Sequence, residues 1–413
     1  MSLFDDASLV LTPNGYKASK LYSIKPTSGA GDMVVTRNTT ARRVNSAGLI
    51  ESVAINVPRL DYTGGGCPRI LVEPLRTNLV LRSEQFDNAY WFKSNITITA
   101  NTAATLAPDG TTTADKVVAT SVGFDLRTLS TIPITNGATY TWSAYVKNAG
   151  FRYVRMTAWT SDDPQTTFDL NSIAVTSQVG PAHTSKIEDV GNGWRRVIIT
   201  RTATAATAWL KITPSNSPNS NGTVNGVDGV YIWGAQLEAG SNATSYIPTT
   251  TATVTRNADV ISQTGISSLI GQTEGTVFVD AQITNFADAA QSFITISDGT
   301  INNRVELRKS STSQIILEGA ASTGTFPGFT LSSVAVGRYK IAVAYQSGNS
   351  YLYINGTQVG STSANAFAFT SLTNIVVGAN ATGSTRFLND RINLATVFPT
   401  RLTNAQLATL TTL

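Results

Sequence analysis

The chain has 413 residues, 14% of them charged, and a formal net charge of +4 from 30 Lys and Arg against 26 Asp and Glu. A typical soluble domain is roughly 25% charged, and here the basic residues are scattered, which excludes a nucleic-acid footprint. One cysteine (Cys67) and one histidine (His183) exclude an internal disulfide and Cys/His metal clusters, and leave His183 alone for any imidazole-dependent mechanism.

The polar role is filled by 60 Thr and 38 Ser. Threonine is β-branched and suits a pleated, half-wet surface, so the composition points to an all-β chain. Its start, Met1-Ser2-Leu3-Phe4-Asp5-Asp6, is acidic where a signal peptide would be basic. No run approaches the roughly 18 apolar residues of a membrane span, so neither a leader nor a membrane segment is expected.

Residues 1–75 read as an irregular segment, rich in Thr, Asn, Gly and Pro, with too little apolar periodicity for a core of its own. It is expected to serve attachment or docking and to pack on a neighbour. Cys67, after Gly64-Gly65-Gly66, reads as a buried or incidental thiol. A first strand-rich block spans 76–248, a threonine-rich linker 249–259, and a second strand-rich block 260–413. Six Asn-Gly and three Asp-Gly dipeptides punctuate the chain, and such pairs favour the two-residue turns of hairpins. Alternating segments such as Thr139–Val146 and Tyr153–Trp159 lie between them, so tandem antiparallel β-sandwiches are predicted. Trp142 shares its face with Tyr140, Ala144 and Val146 and reads as core. The tetrapeptide Val-Thr-Arg-Asn occurs at Val35–Asn38 and again at Val254–Asn257; equivalent docking strands and chance recurrence both account for it. One short C-terminal helix is predicted, with Thr403 and Gln406 as a capping box and Leu402, Leu407 and Leu410 on its apolar side. It is expected to seal the end of the second sandwich.

Three stretches resemble bacteriophage fibre and tail proteins. The run Thr36–Ala41, Val44–Glu51 and Pro58–Tyr62 is similar to a segment recurring there, leading into a piece like Leu71–Phe86. The close of the first block, Trp233-Gly234-Ala235-Gln236-Leu237-Glu238 followed by Thr244–Thr249, resembles the end of a jelly roll of the carbohydrate-binding type. In the second block, Ser350–Val359 and Arg391–Phe398 with the C-terminal helix resemble a concanavalin-like or laminin-G-like jelly roll. The resemblance implies a structural virion protein, a subunit of a head or tail fibre or appendage on the particle exterior. It would be made in the host bacterial cytoplasm, joined to other virion proteins through the N-terminal segment, and homotrimeric as fibres usually are. A glycan-binding adhesin module is the alternative, and a glycan depolymerase a third reading.

The concanavalin-like fold includes glucanases, whose chemistry needs paired carboxylates. Their E-x-D-x-x-E spacing is missing here, and Asp280 and Glu306 read as solvated strand residues. His183 lies in a loop composition with no orienting partner in the sequence, and no phosphate-binding glycine motif occurs. The expectation is therefore a non-enzyme. The resemblance also implies a structural Ca²⁺ held by Glu84 and Asp228 with backbone carbonyls, against turn and surface roles for the two acids. Finally, alternation places Tyr153, Arg155, Thr157 and Trp159 on one strand face, and Trp209 beside Lys211 on another strand. If both strands share a sheet, these residues make a glycan platform, a subunit or domain interface, or plain core.

Overall fold

The computed structural model describes residues 3–158, 164–218, 224–286 and 289–413. The chain is all-β apart from short helical pieces, and it divides into two compact units. One comprises residues 47–51 and 76–256, the other residues 1–46, 52–75 and 257–413.

The 76–256 unit is a sandwich of two six-stranded antiparallel sheets. In the first, the order is Trp91–Ser94, Asp125–Thr128, Leu210–Ser215, Tyr153–Ala158, Gln165–Asp169, Ala174–Val179. In the second it is Ile96–Thr99, Asp115–Ala119, Gly229–Ala239, Thr139–Ala149, Trp194–Thr202, Thr184–Asp189. Strand period two sends alternate residues to opposite faces. Leu126, Val154, Met156, Leu210 and Ile212 of the first sheet thus meet Val117, Trp142, Val146, Ile199 and Ile232 of the second in one core. Each such side chain contributes about 1.5–3 kcal/mol on burial.

The recurring Trp233–Glu238 motif is explained by bracing. Gly234 has φ +64° at a register shift opposite Ser143–Tyr145, and a Cβ there would lie 2.9 Å from the Tyr145 ring. The bulge sends Trp233 to the outer face, where it packs with Tyr145 and Tyr246, while Ala235 and Leu237 return to the core. Gln236 Oε1 accepts from the Ile247 amide (2.7 Å), and buried Glu238 accepts from the Thr244 amide (2.9 Å) and hydroxyl (2.7 Å). Asn78 Nδ2 completes the brace by donating to the carbonyls of Ala235 (3.0 Å) and Ile247 (2.8 Å).

The second unit also has two antiparallel sheets around one core. Residues 1–75, expected as an attachment segment, supply strands to both. Leu9–Leu11 and Arg69–Val72 both pair with Asp390–Phe398, one towards each end of that strand, and Met33–Thr36 pairs with Val260–Gln263. These strands span two to four residues, too short to show periodicity in sequence. The expected linker is ordered as well: Val254–Arg256 pairs with Arg76–Asn78, and Asp259 is buried against Arg37 and Arg59. Both Val-Thr-Arg-Asn copies bury their arginine, Arg37 and Arg256.

The C-terminal helix Asn404–Thr411 has its capping box, Thr403 with Gln406. Instead of sealing an end, it covers the outer face of a sheet. Leu402, Leu407 and Leu410 pack on Phe278, Ala342, Ala344 and Tyr353, which alternate with the core-facing Val277, Ile341 and Val343. Among the described Asn-Gly and Asp-Gly pairs, both residues are left-handed only at Asn192–Gly193 and Asn355–Gly356, each closing a hairpin.

Candidate glycan or partner interface

The two strands carrying the proposed platform are neighbours in the first sheet of the 76–256 unit, with Thr157 opposite Lys211, Arg155 opposite Thr213 and Tyr153 opposite Ser215. Because Val154, Met156 and Leu210 point into the core, Tyr153, Arg155 and Lys211 share the outward face. Trp159 lies outside the described residues. Trp209 is half-buried and precedes the Lys211 strand.

Across this face runs one continuous row, set by register: Phe92, Arg127, Lys211, Thr157, Gln165. At about 4.8 Å between strands it spans about 19 Å. The Arg127 guanidinium lies 4.6 Å from the Phe92 ring centre and 5.8 Å from that of Trp209, a cation–π contact on each side. Its Nε donates to Asp125 Oδ2 (3.0 Å), and Lys211 Nζ stands 3.3 Å from Asp125 Oδ1. Away from the row, on the same strand as Gln165, Asp169 is gripped by Arg152 through two nitrogens and accepts from the Asn171 and Ser172 amides, which together hold its carboxyl well below the usual range against the cost of its desolvation. Phe92, Asp125 and Arg127 were not singled out from sequence. Asp125–Thr128 is only four residues long, and Phe92 reaches Arg127 through pairing distant in the chain.

The two acids implied for calcium do not meet. Asp228 stands at the start of Gly229–Ala239, bonded to Asn225 Nδ2 (2.7 Å). Glu84 accepts from the Tyr246 hydroxyl (2.9 Å), next to Ser83, whose carbonyl takes the Ala235 amide. From Asp228 to Ala235 is about 23 Å of strand at about 3.3 Å per residue. Carbonyls three to seven residues after Glu84 are already used: Lys93 Nζ donates to those of Asp87 (2.9 Å), Asn88 (2.8 Å) and Trp91 (2.8 Å). Glu84 and Asp228 therefore do not fit one calcium ion, and among the described residues no group of three His, Cys, Asp or Glu is placed to hold a metal.

Glu84 instead lines a polar cavity of about 290 Å³ with Arg82, Asp87, Asn88, Asn101 and Thr249. Nearby, Asp115 is buried and accepts from the amides of Phe86 and Asn101 (2.9 Å each); burial pushes its carboxyl up to about 6. His183 bonds through both nitrogens, to Thr166 Oγ1 (2.8 Å) and the Pro181 carbonyl (2.7 Å). Cys67 is exposed rather than buried.

In the other unit, Asp280 and Glu306 are buried and paired rather than solvated. Asp280 binds Arg338 and Asn393. Glu306 accepts from Ser292, Arg304 (2.9 Å) and Arg386 (2.9 Å), directly opposite Glu318 on the next strand. Glu318 in turn holds Arg308 (2.7 Å) and Arg386 (3.2 Å). Burial raises the Glu318 carboxyl, but the arginines outweigh it and keep it below the usual range.

Residues 263–408 match the family model of the concanavalin A-like lectin/glucanases superfamily. No curated protein matches the chain. Similar solved structures include the CBM40 of Ruminococcus gnavus IT-sialidase bound to alpha2,3 sialyllactose, at 18% identity over 36% of this chain and 86% of that one, TM-score 0.32. The NanB sialidase of Streptococcus pneumoniae is 18% identical over 36% of this chain and 26% of its own, TM-score 0.31. The binding domain of botulinum neurotoxin serotype G is 11% identical over 37% and 39%, TM-score 0.30. The family match to residues 263–408 agrees with the two packed antiparallel sheets of that unit.

Proposed function

We propose that the protein is a non-enzymatic attachment protein that binds glycans, a structural subunit of a phage head or tail fibre or appendage carried on the particle exterior. The observation that carries glycan binding is the Phe92–Gln165 row with Trp209 beside it. It combines aromatic rings, cations and an amide on one sheet face, the mix that stacks on sugar rings and bonds their hydroxyls. The lectin-type match of residues 263–408 supports the same reading for the other unit. The virion setting rests on the likeness of residues 36–86 and 233–249 to phage fibre and tail proteins, and homotrimeric assembly with virion partners at the N-terminal segment comes with it.

In the concanavalin-like unit a non-enzymatic role is supported by the state of the Glu306–Glu318 pair. A glycosidase needs one acid of its catalytic pair held protonated. Glu306 and Glu318 are instead saturated by three arginines, and Glu318 is held below its ordinary range.

The test is binding of the full chain to host cells before and after periodate oxidation of their surface sugars, with labelled antibody imaging of purified particles alongside. Binding lost on oxidation, with label on particles, is the expected result. Binding indifferent to oxidation overturns the glycan reading, and particles without label overturn the virion one.

A further inference from the structure

We propose that the row centred on Arg127 and Lys211 selects an acidic polysaccharide, whose carboxylate or phosphate groups dock on the open edge of the Arg127 guanidinium. The inference rests on the glycan reading above and names the chemical class that this face takes.

Arg127 is fixed in a way that leaves its fork outward. The two neighbouring rings hold the guanidinium plane, and the one hydrogen bond it makes to the described residues, from Nε to Asp125, sets its rotation. Among the described residues neither terminal nitrogen makes a hydrogen bond, although the side chain is one-third exposed. Two parallel N–H groups on a planar cation match the two oxygens of a carboxylate or phosphate. A plain neutral hydroxyl cannot use both.

Lys211 adds a second charge. Its register neighbour is Arg127, and among the described residues its Nζ makes only the ion-pair approach to Asp125 at 3.3 Å. Asp125 is thus one carboxylate between two cations, and the pair keeps a surplus positive charge. Asp169 does not offset it, because Arg152 already holds it. Trp209 and Phe92 offer apolar surface beside the charged fork, as a sugar ring with an acidic substituent requires. The row runs across strands, so an extended polymer along it meets Phe92, Arg127 and Lys211 and then, past the buried Thr157, Gln165.

The test uses calorimetric titration of the full chain with three probes: an oligogalacturonate, a poly(glycerol phosphate) oligomer and neutral maltohexaose. The expected result is that at least one acidic probe binds tenfold or more tighter than maltohexaose and weakens as salt rises. Comparison of the two acidic probes assigns the group as carboxylate or phosphate. Arg127→Gln should cost tenfold or more. Arg127→Lys, which keeps the charge and loses the fork, should recover less than half of that loss on the logarithmic scale. Unchanged tryptophan fluorescence melting checks that each variant folds. Maltohexaose binding as tightly as the acids overturns this inference and leaves glycan binding standing. Equal affinity for duplex DNA also overturns it, showing an unselective anion surface. Silence with every sugar, and on a wider glycan array, overturns both.

Discussion

Replacing Asp259 by asparagine tests whether the segment around it is part of a core. Its Oδ1 accepts from Arg37 (2.9 Å) and Arg59 (3.2 Å), and Oδ2 accepts from the Glu73 amide (3.0 Å) and from Arg59. Arg59 also binds Glu73 Oε2 (2.6 Å), so two arginines and two acids balance in a space where each is at most 4% exposed. Burial alone would weaken the Arg59 cation, but Asp259 and Glu73 hold its proton more firmly than usual. Asp259→Asn leaves one buried positive charge without a counter-charge, a change that costs about 3–5 kcal/mol. For a unit of this size that is about 6–20 °C in melting temperature, at about 2–4 °C per kcal/mol. The six tryptophans all lie between Trp91 and Trp233, so tryptophan fluorescence follows the 76–256 unit while far-UV circular dichroism follows both. The dichroism melt of the Asp259→Asn chain should therefore fall by that amount. A dichroism melt within about 2 °C of the wild type would refute the reasoning.

Lys93→Met should lower the fluorescence-detected melt by about 1–3 kcal/mol in stability, because it strips the cation from its carbonyls. EDTA should leave the wild-type melt where it is; a chelator-induced drop would contradict the placement of Glu84 and Asp228. Asp115, raised to about 6 by burial against about 3.9 when unfolded, loses its proton from the unfolded chain first as pH rises. It therefore withdraws about 2–3 kcal/mol of stability between pH 4 and 6. Accordingly, the stability of wild type relative to Asp115→Asn should increase on going from pH 7 to pH 4.5, and a constant difference would sink the assignment.

Much of the architecture was legible locally. Tyr153–Ala158 alternates strictly, so its outward Tyr153 and Arg155 could be read from period two. Asn355-Gly356 marks its hairpin, and Thr403 with Gln406 marks the helix start. What sequence could not show depends on pairing at a distance. Phe92 and Arg127 become neighbours only because two four-residue strands pair in one register. Leu9–Leu11 is unremarkable until it lies against Asp390–Phe398, and Asp259 reads as linker until Arg37 and Arg59 surround it. Glu306 looks like a solvated strand acid because its arginines come from its own strand and from Arg386, far along the chain. The separation of Glu84 from Asp228 likewise depends on distant pairing: Ser83 meets Ala235, well along the strand that begins beside Asp228.

The central claim is that the outward face of the first sheet binds glycan, and hydrogen exchange of the full chain with and without a bound acidic oligosaccharide tests it most directly. Protection is predicted in Trp91–Ser94, Asp125–Thr128 and Leu210–Ser215. Protection confined to the other unit, at Arg304–Lys309 and Ile315–Ala320, would contradict it.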